Sequence, residues 1–254
     1  MVAEQVVAGA SRVLIGRGIL DTATVLGEGE RAAVGFVAQP STAALARDLA
    51  RRAGSVGLRT GVRVVPDGDD AKTLAVIEDL YRWMLELGLT RSDTLVGVGG
   101  GALTDAAGFA AATYLRGVEA VYIPTTVLGA VDAAIGGKTG VNLDGKNLVG
   151  AFRHPARVVI DVDVLDRLPD GVKRGGLAEA LKAGLIGDPA LVGLLEEHGP
   201  SADLDQVVRR AVAVKAAVVG RDFTEQGERA HLNYGHTIGH AVEVATGLGH
   251  GEAV

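Results

Sequence analysis

Asp93-Thr94-Leu95-Val96-Gly97-Val98, followed by Gly99-Gly100-Gly101-Ala102 and the alanine-rich stretch 103–113, reads as a buried strand, a tight glycine turn and a helix. Glycine lets a backbone come close to a pyrophosphate, and the free N–H groups of the helix that follows favour negative charge. Gly97, Gly99 and Ala102 occupy the three small positions of the dinucleotide fingerprint. That fingerprint alone is weak, because a plain strand-to-helix turn needs the same small residues. The turn also follows earlier strand–helix units, whereas a simple Rossmann domain carries its fingerprint in the first turn.

Outward from that turn, the first half of the chain alternates β-branched runs with amphipathic stretches. Residues 33–37 and 61–65 read as strands, and 42–53 and 73–87 as helices with apolar side chains in helical rhythm. Such βαβα order implies a Rossmann-like α/β unit with a largely parallel sheet and helices on both faces. From Pro169 onward the strand signals stop, and 175–185, 190–198, 203–220 and 230–246 all read as helices. The expected organisation is an α/β domain over 1–168 followed by a helical domain over 169–254.

With 254 residues and 48% apolar content, the chain is long enough for one large domain or two. A net charge of −6 argues against a general nucleic-acid binder, so an anionic ligand needs a local basic cluster that overcomes the global field. The absence of cysteine removes disulfides and thiolate ligands and is compatible with the cytoplasm. No apolar run has the length of a membrane span, and residues 1–10 are not expected to be a signal peptide.

Four of the six histidines fall between His231 and His250. In Asn233-Tyr234-Gly235-His236-Thr237-Ile238-Gly239-His240, His236 and His240 stand four apart and would share one helix face, with His250 returning beyond a Gly-containing break. Without cysteine, a transition ion must be held by imidazole and carboxylate, a set that suits zinc and its neighbours. A histidine pair at helical spacing is more often a packed or surface feature, so the metal reading needs a third ligand and a substrate.

Further motifs follow in order: Ile123-Pro124-Thr125-Thr126, Val131-Asp132, Gly136-Gly137-Lys138-Thr139-Gly140-Val141-Asn142, Gly145-Lys146-Asn147-Leu148, Gly176-Leu177-Ala178-Glu179-Ala180-Leu181-Lys182, Val214-Lys215, and Glu225 with Arg229. Together with the glycine turn and the histidine cluster, they closely resemble the 3-dehydroquinate synthase family over roughly residues 60–254. That resemblance implies an enzyme using NAD catalytically on 3-deoxy-D-arabino-heptulosonate 7-phosphate. A ring hydroxyl is oxidised, phosphate is eliminated, the ketone is reduced again, and an aldol closure gives 3-dehydroquinate. The chemistry asks for a hydride acceptor, a metal on the reacting hydroxyls, and cationic clamps for a phosphate and a carboxylate.

By the same resemblance, Glu179, His236 and His250 hold a divalent metal, zinc or cobalt, with a face open to substrate oxygens. His240 is then a neighbouring acid–base histidine. Lys138, Asn147, Lys182, Lys215, Arg229 and Asn233 surround the substrate, and Asp132 and Glu225 accept hydrogen bonds from its hydroxyls. Arg116 reaches the phosphate of a neighbouring subunit, so a homodimer is expected. The implied NAD contacts are Asp67, Gly68, Asp69, Lys72, Gly100, Gly101, Asp105, Thr125, Thr126, Lys138 and Lys146. An acidic group near the ribose favours NAD over NADP. The resulting expectation is a cytoplasmic enzyme acting on a small sugar phosphate, with no nucleic-acid or membrane partner.

Three departures from the family pattern fall on the NAD side: Asp69 replaces a glutamate, Gln39-Pro40 stands where many members carry an acid, and Val164-Leu165-Asp166-Arg167 replaces a Thr-Leu-x-Thr pattern. The family also runs on beyond the His250-Gly251-Glu252 motif, which suggests a fragment that would be unstable or inactive. The rival readings are another sugar phosphate cyclase (aminodehydroquinate, 2-deoxy-scyllo-inosose or epi-valiolone synthase), a metal-dependent alcohol dehydrogenase, and a non-catalytic paralogue.

Overall fold

A computed structural model of the chain describes residues 4–246 and 250–253, and the side chains of Glu4, His240, Val244, His250 and Glu252 lie outside that description. The chain opens with the strands β1 (Glu4–Ala8) and β2 (Ser11–Gly16) and a short helix α1 (Thr22–Leu26), capped by the Asp21 carboxylate on the Thr24 amide. Then come β3 (Ala33–Ala38), α2 (Ala43–Ser55), β4 (Arg59–Val64), α3 (Leu74–Glu86), β5 (Thr94–Gly99), α4 (Gly101–Thr113) and β6 (Glu119–Pro124). The strands β7 (Lys138–Val141), β8 (Val149–Phe152) and β9 (Arg157–Asp161) follow. After Asp161 the described elements are helical: α5 (Val162–Asp166), α6 (Asp170–Gly187), α7 (Pro189–His198), α8 (Leu204–Arg221), α9 (His236–Thr246) and α10 (His250–Ala253).

The main sheet has the order β1-β2-β9-β6-β5-β3-β4 and is parallel except at the β1–β2 pair. Every residue of β3 and β5 is buried, as expected of inner parallel strands covered on both faces. Alternate side chains divide between two layers. Val34, Phe36, Val96 and Val98 pack with Ala46, Leu49 and Ala53 of α2 on one face. Val37 and Leu95 pack with Ile77, Leu80 and Met84 of α3 and with α4 on the other. Gly97 permits this second layer its close approach, since a Cβ there would lie 3.0 Å from that of Ala107.

The site is positioned by strand order. The crossover from β3 leads to β4 on one side, whereas the crossover from β5 leads to β6 on the other. The loops leaving the carboxyl ends of β3 and β5 therefore diverge and open a crevice. The glycine turn stands at this point, and helix α4 starts at Gly101, two residues before the expected stretch.

Two further expectations need correction. Strand β4 starts at Arg59, earlier than residue 61. The stretch 230–246 is not one helix: a 3-10 segment (Glu228–Asn233) ends at extended Tyr234, Gly235 takes φ 81, and α9 starts at His236. Glycine tolerates that left-handed conformation, and the break redirects the chain between two histidine-bearing segments. No described helix is long and apolar enough to cross a membrane.

Candidate functional site

A cavity of about 620 Å³ opens beside the N-terminus of α4, with Gly101 and Ala102 in its wall. No side chain caps this helix start, so its first N–H groups remain available to an anion. Of the residues singled out from the sequence, Asp69, Lys72, Asp105, Asp132, Lys138, Lys146, Asn147, Lys215, Glu225, Arg229, Asn233 and His236 also line the cavity. They come from segments as distant in sequence as the loop before α3 and the start of α9.

Lysine–carboxylate pairs organise the interior. Lys215 on α8 donates to the Asp132 carboxylate at 2.7 Å, and Lys182 on α6 reaches the same oxygen at 3.3 Å. Burial opposes the Asp132 charge, yet Lys215 and Lys182 together outweigh it and hold the carboxyl well below the usual carboxylate range. Burial also pulls the Lys215 ammonium below its ordinary value, with Asp132 only partly restoring it. Lys72 donates to Asp105 at 2.6 Å and pairs with Asn147 Oδ1. There burial wins: the Asp105 carboxyl is pushed up to about 6 despite the nearby Lys72.

The turn carrying Glu225 and Arg229 is built on the Asp222 carboxylate, which accepts from the amides of Gln226, Gly227 and Arg229 at 2.8–3.0 Å. Glu225 has a left-handed backbone, φ 59, a strained state for a glutamate. Its side chain is fixed by Lys138 at 2.5 Å and Asn233 at 2.7 Å. Arg229 is 1% exposed, and its guanidinium donates to the Phe223 carbonyl and lies 5.7 Å from the centre of the Phe152 ring. Among the described residues no carboxylate stands within ion-pair distance of it, and its Nε has no hydrogen-bond partner.

The predicted metal ligands meet in part. Glu179 and Lys182, three residues apart on α6, pair as the helical spacing requires. The buried Glu179 presents Oε1 3.6 Å from His236 Nε2. His236 Nδ1 donates to the Tyr234 carbonyl at 3.2 Å, so the ring in its neutral form carries its lone pair on Nε2, facing Glu179. A buried carboxylate converging with a correctly oriented imidazole fits a divalent cation. Among the described residues no group of three such ligands occurs. The side chains of His250 and of His240 lie outside the description.

Other expectations separate from the cavity. Arg116 is exposed at the far end of α4 with φ 65 and does not line it. Thr125, Thr126 and Gly100 sit beside the wall: the Thr125 amide bonds the Gly99 carbonyl at 2.9 Å, and Thr126 closes over Gly100. Asp67 and Gly68 are exposed in the loop before Lys72. Gln39 donates to the carbonyls of Pro66 and Gly68, both at 3.2 Å, so the amide that replaces an acid pins this loop. Val164 and Arg167 line a different groove of about 200 Å³ with Leu45, Asp48 and Arg52. Asp69, one methylene short of the family glutamate, stands 3.4 Å from Lys146.

The sequence reading missed Glu243, whose carboxylate pairs with Lys146 and lines the cavity. Its signal was available, because Glu243 lies seven residues after His236 and so shares that helix face.

Known proteins resemble this chain in sequence and in fold. A family profile described as 3-dehydroquinate synthase N-terminal matches residues 62–174, and one described as 3-dehydroquinate synthase C-terminal matches residues 176–254. The chain is 48% identical to a 3-dehydroquinate synthase of Thermobifida fusca (strain YX) over 241 residues, covering 92% of this chain and 65% of that protein. It thus spans about two thirds of the length of the curated relatives it matches. Among solved structures, a 2-deoxy-scyllo-inosose synthase complexed with carbaglucose-6-phosphate, NAD+ and Co2+ is similar at a TM-score of 0.89 and 27% identity, covering 99% of this chain and 73% of that one. A 2-epi-5-epi-valiolone synthase from Streptomyces hygroscopicus subsp. jinggangensis 5008, with NAD+ and Zn2+ bound, is similar at 0.85 and 30% identity, covering 96% and 71%.

Proposed function

The chain belongs to the 3-dehydroquinate synthase family, and we propose that it carries out that family's reaction: 3-deoxy-D-arabino-heptulosonate 7-phosphate gives 3-dehydroquinate and phosphate. NAD and a divalent metal, zinc or cobalt, are its cofactors. The observation that carries the reading is Arg229, a buried guanidinium on the cavity wall with no carboxylate partner among the described residues. In a chain of net charge −6, such a group has a reason to be there if an oxyanion completes it.

Each group has a part in this scheme. The α4 N-terminus, Lys72 and Asp105 form the NAD side of the cavity, and Glu179 and His236, with His250, would hold the metal. When bound, the metal would acidify substrate hydroxyls. Lys215 and Arg229 hold the substrate carboxylate or phosphate, and Lys138 and Asn147 add further donors. Asp132 and Glu225, kept ionised by their lysine partners, accept from ring hydroxyls and fix which one faces the nicotinamide. His240 is the proposed proton carrier. We assign the α/β part to 1–168 and the helical part to 169–254. Arg116, standing away from its own cavity, is assigned to a partner's site in a homodimer. An enzyme using NAD catalytically on a phosphorylated intermediate fits the cytoplasm.

The test is incubation of the protein, expressed from its full reading frame, with the heptulosonate phosphate and catalytic NAD. Phosphate released in step with substrate consumed, without accumulation of NADH, is expected. Accumulating NADH would mean a dehydrogenase. Turnover of a sugar phosphate lacking the carboxylate, in preference, would favour another cyclase.

A further inference from the structure

Arg229 owes its position to a layer of side chains that the proposed chemistry does not use, Phe152 in the cavity wall and Phe223 and His154 outside its lining. Its Nη1 donates to the carbonyl of Phe223. The Phe223 ring is stacked on His154, centroids 3.7 Å apart at 18°, and meets Phe152 edge-on at 5.8 Å. His154 Nδ1 lies 3.3 Å from the Oγ of the buried Ser11, at the start of β2. The β1–β2 turn presses on the imidazole so closely that a Cβ at Gly9, φ 62, would stand 2.5 Å from His154 Cε1. On the opposite side, a Cβ at Gly136 would lie 2.7 Å from Arg229 Nη2, so bare backbone makes room for the guanidinium. Burial, and then the neighbouring Arg229 charge, keep His154 below its ordinary pKa, so it is neutral near pH 7 and tolerates the cation.

We propose that His154 and Phe223 are positioning residues that aim the Arg229 guanidinium into the cavity, setting its grip on a substrate oxyanion without touching the substrate. This rests on the reading of Arg229 as an anion anchor. Arg229 has four rotatable side-chain bonds and no ion partner among the described residues. A stack that fixes Phe223 fixes the carbonyl holding one end of the fork, and Phe152 and Gly136 bound the faces that remain. The preorganisation lowers the ordering needed when the anion arrives.

The test compares wild type with His154→Ala, His154→Gln, Phe223→Leu, Arg229→Lys and the His154→Ala/Arg229→Lys double variant. KM and kcat for the heptulosonate phosphate are measured, with NAD affinity as a control. Calorimetric binding of inorganic phosphate and of gluconate, a polyhydroxylated carboxylate, to NAD-loaded protein gives a readout independent of turnover. The expected result for His154→Ala and Phe223→Leu is about a tenfold loss of anion affinity, the scale of one misaligned charged hydrogen bond. Both kcat and NAD affinity should stay within about twofold. His154→Gln, planar and able to bond Ser11, should recover most of the loss. In the Arg229→Lys background His154→Ala should add nothing further. Weakening confined to phosphate or to gluconate would tell which group Arg229 holds, and either supports the stack. Additive losses in the double variant, or anion affinity unchanged in His154→Ala while Arg229→Lys weakens it, overturns the proposal. A wild type that binds the probes but releases no phosphate overturns the functional reading while leaving the stack to be judged by binding.

Discussion

Lys215 donates to Asp132 twice, to the backbone carbonyl at 2.5 Å and to the carboxylate at 2.7 Å. A helix of the C-terminal part is thereby tied to the short turn after β6, and the one carboxylate serves both Lys215 and Lys182. The pairing ties the charge state of the cavity to the stability of the fold.

Asp132→Asn should destabilise the chain by roughly 3 kcal/mol, the low end for breaking a buried pair, because Lys215 can shed its proton. The folded carboxyl lies below its unfolded value near 3.9. Its contribution is therefore present above about pH 4 and lost as pH falls further. Denaturant unfolding of the two proteins at neutral and acidic pH checks this; a loss under about 1 kcal/mol at neutral pH would mean the pair is not buried as described.

Asp105 has the opposite sign. Its folded value of about 6 lies above the unfolded one, so between about pH 4 and 6 the folded state holds a proton that the unfolded state has released. Stability should fall as pH rises through that window and level off above it. In Asp105→Asn the slope should flatten, as seen in denaturation midpoints at pH 4.5, 5.5, 6.5 and 7.5. NAD titrations of wild type over the same series should show affinity rising as the carboxylate ionises.

Glu179→Gln keeps the shape of the buried side chain and removes the charge beside His236. Metal content of the purified protein, read by atomic absorption, should drop by at least about tenfold. Chelation of wild type should lower Tm by a few degrees and zinc or cobalt should restore it, whereas the variant should respond to neither treatment. Equal metal content in both proteins would remove Glu179 from the ligand set.

Glu243 joins α9 to the β7–β8 loop through Lys146, which also faces Asp69. Burial opposes the Lys146 charge, but Glu243 and Asp69 outweigh it and raise the ammonium above its ordinary value. Glu243→Gln should loosen that loop, with amide exchange over residues 142–148 rising about threefold and NAD affinity falling by a similar factor. The effect on Tm should be small, since Lys146 is half-exposed. Unchanged exchange would show that the bond from the Asn142 amide to the Lys72 carbonyl and the Lys146–Asp69 pair hold the loop without Glu243.

The strands and helices around the glycine turn were legible because each rests on a local pattern. The unbroken apolar run of β5 and the helical rhythm of α3 need no partner to be recognised. Four short strands were not legible: β1 with β2 and β7 with β8 form hairpins too brief to carry a clear alternation, and β2 finds its parallel partner only in β9, far along the chain. The break at Tyr234-Gly235 was hidden because glycine permits a left-handed turn without announcing one.

The amino-acid order by itself determined the family, the α/β-then-helical succession and the roster of ionisable groups, since motif identity and periodicity are properties of the chain. Only the tertiary structure decided which charges face one another. It set Lys182 and Lys215 on a single carboxylate, left the Arg229 guanidinium with no carboxylate at ion-pair distance among the described residues, brought in Glu243, and kept Arg116 away from its own cavity. The physical reason is that ion pairing and burial depend on distances of a few ångströms between segments dozens of residues apart, and those distances are fixed only when the helices pack against the sheet.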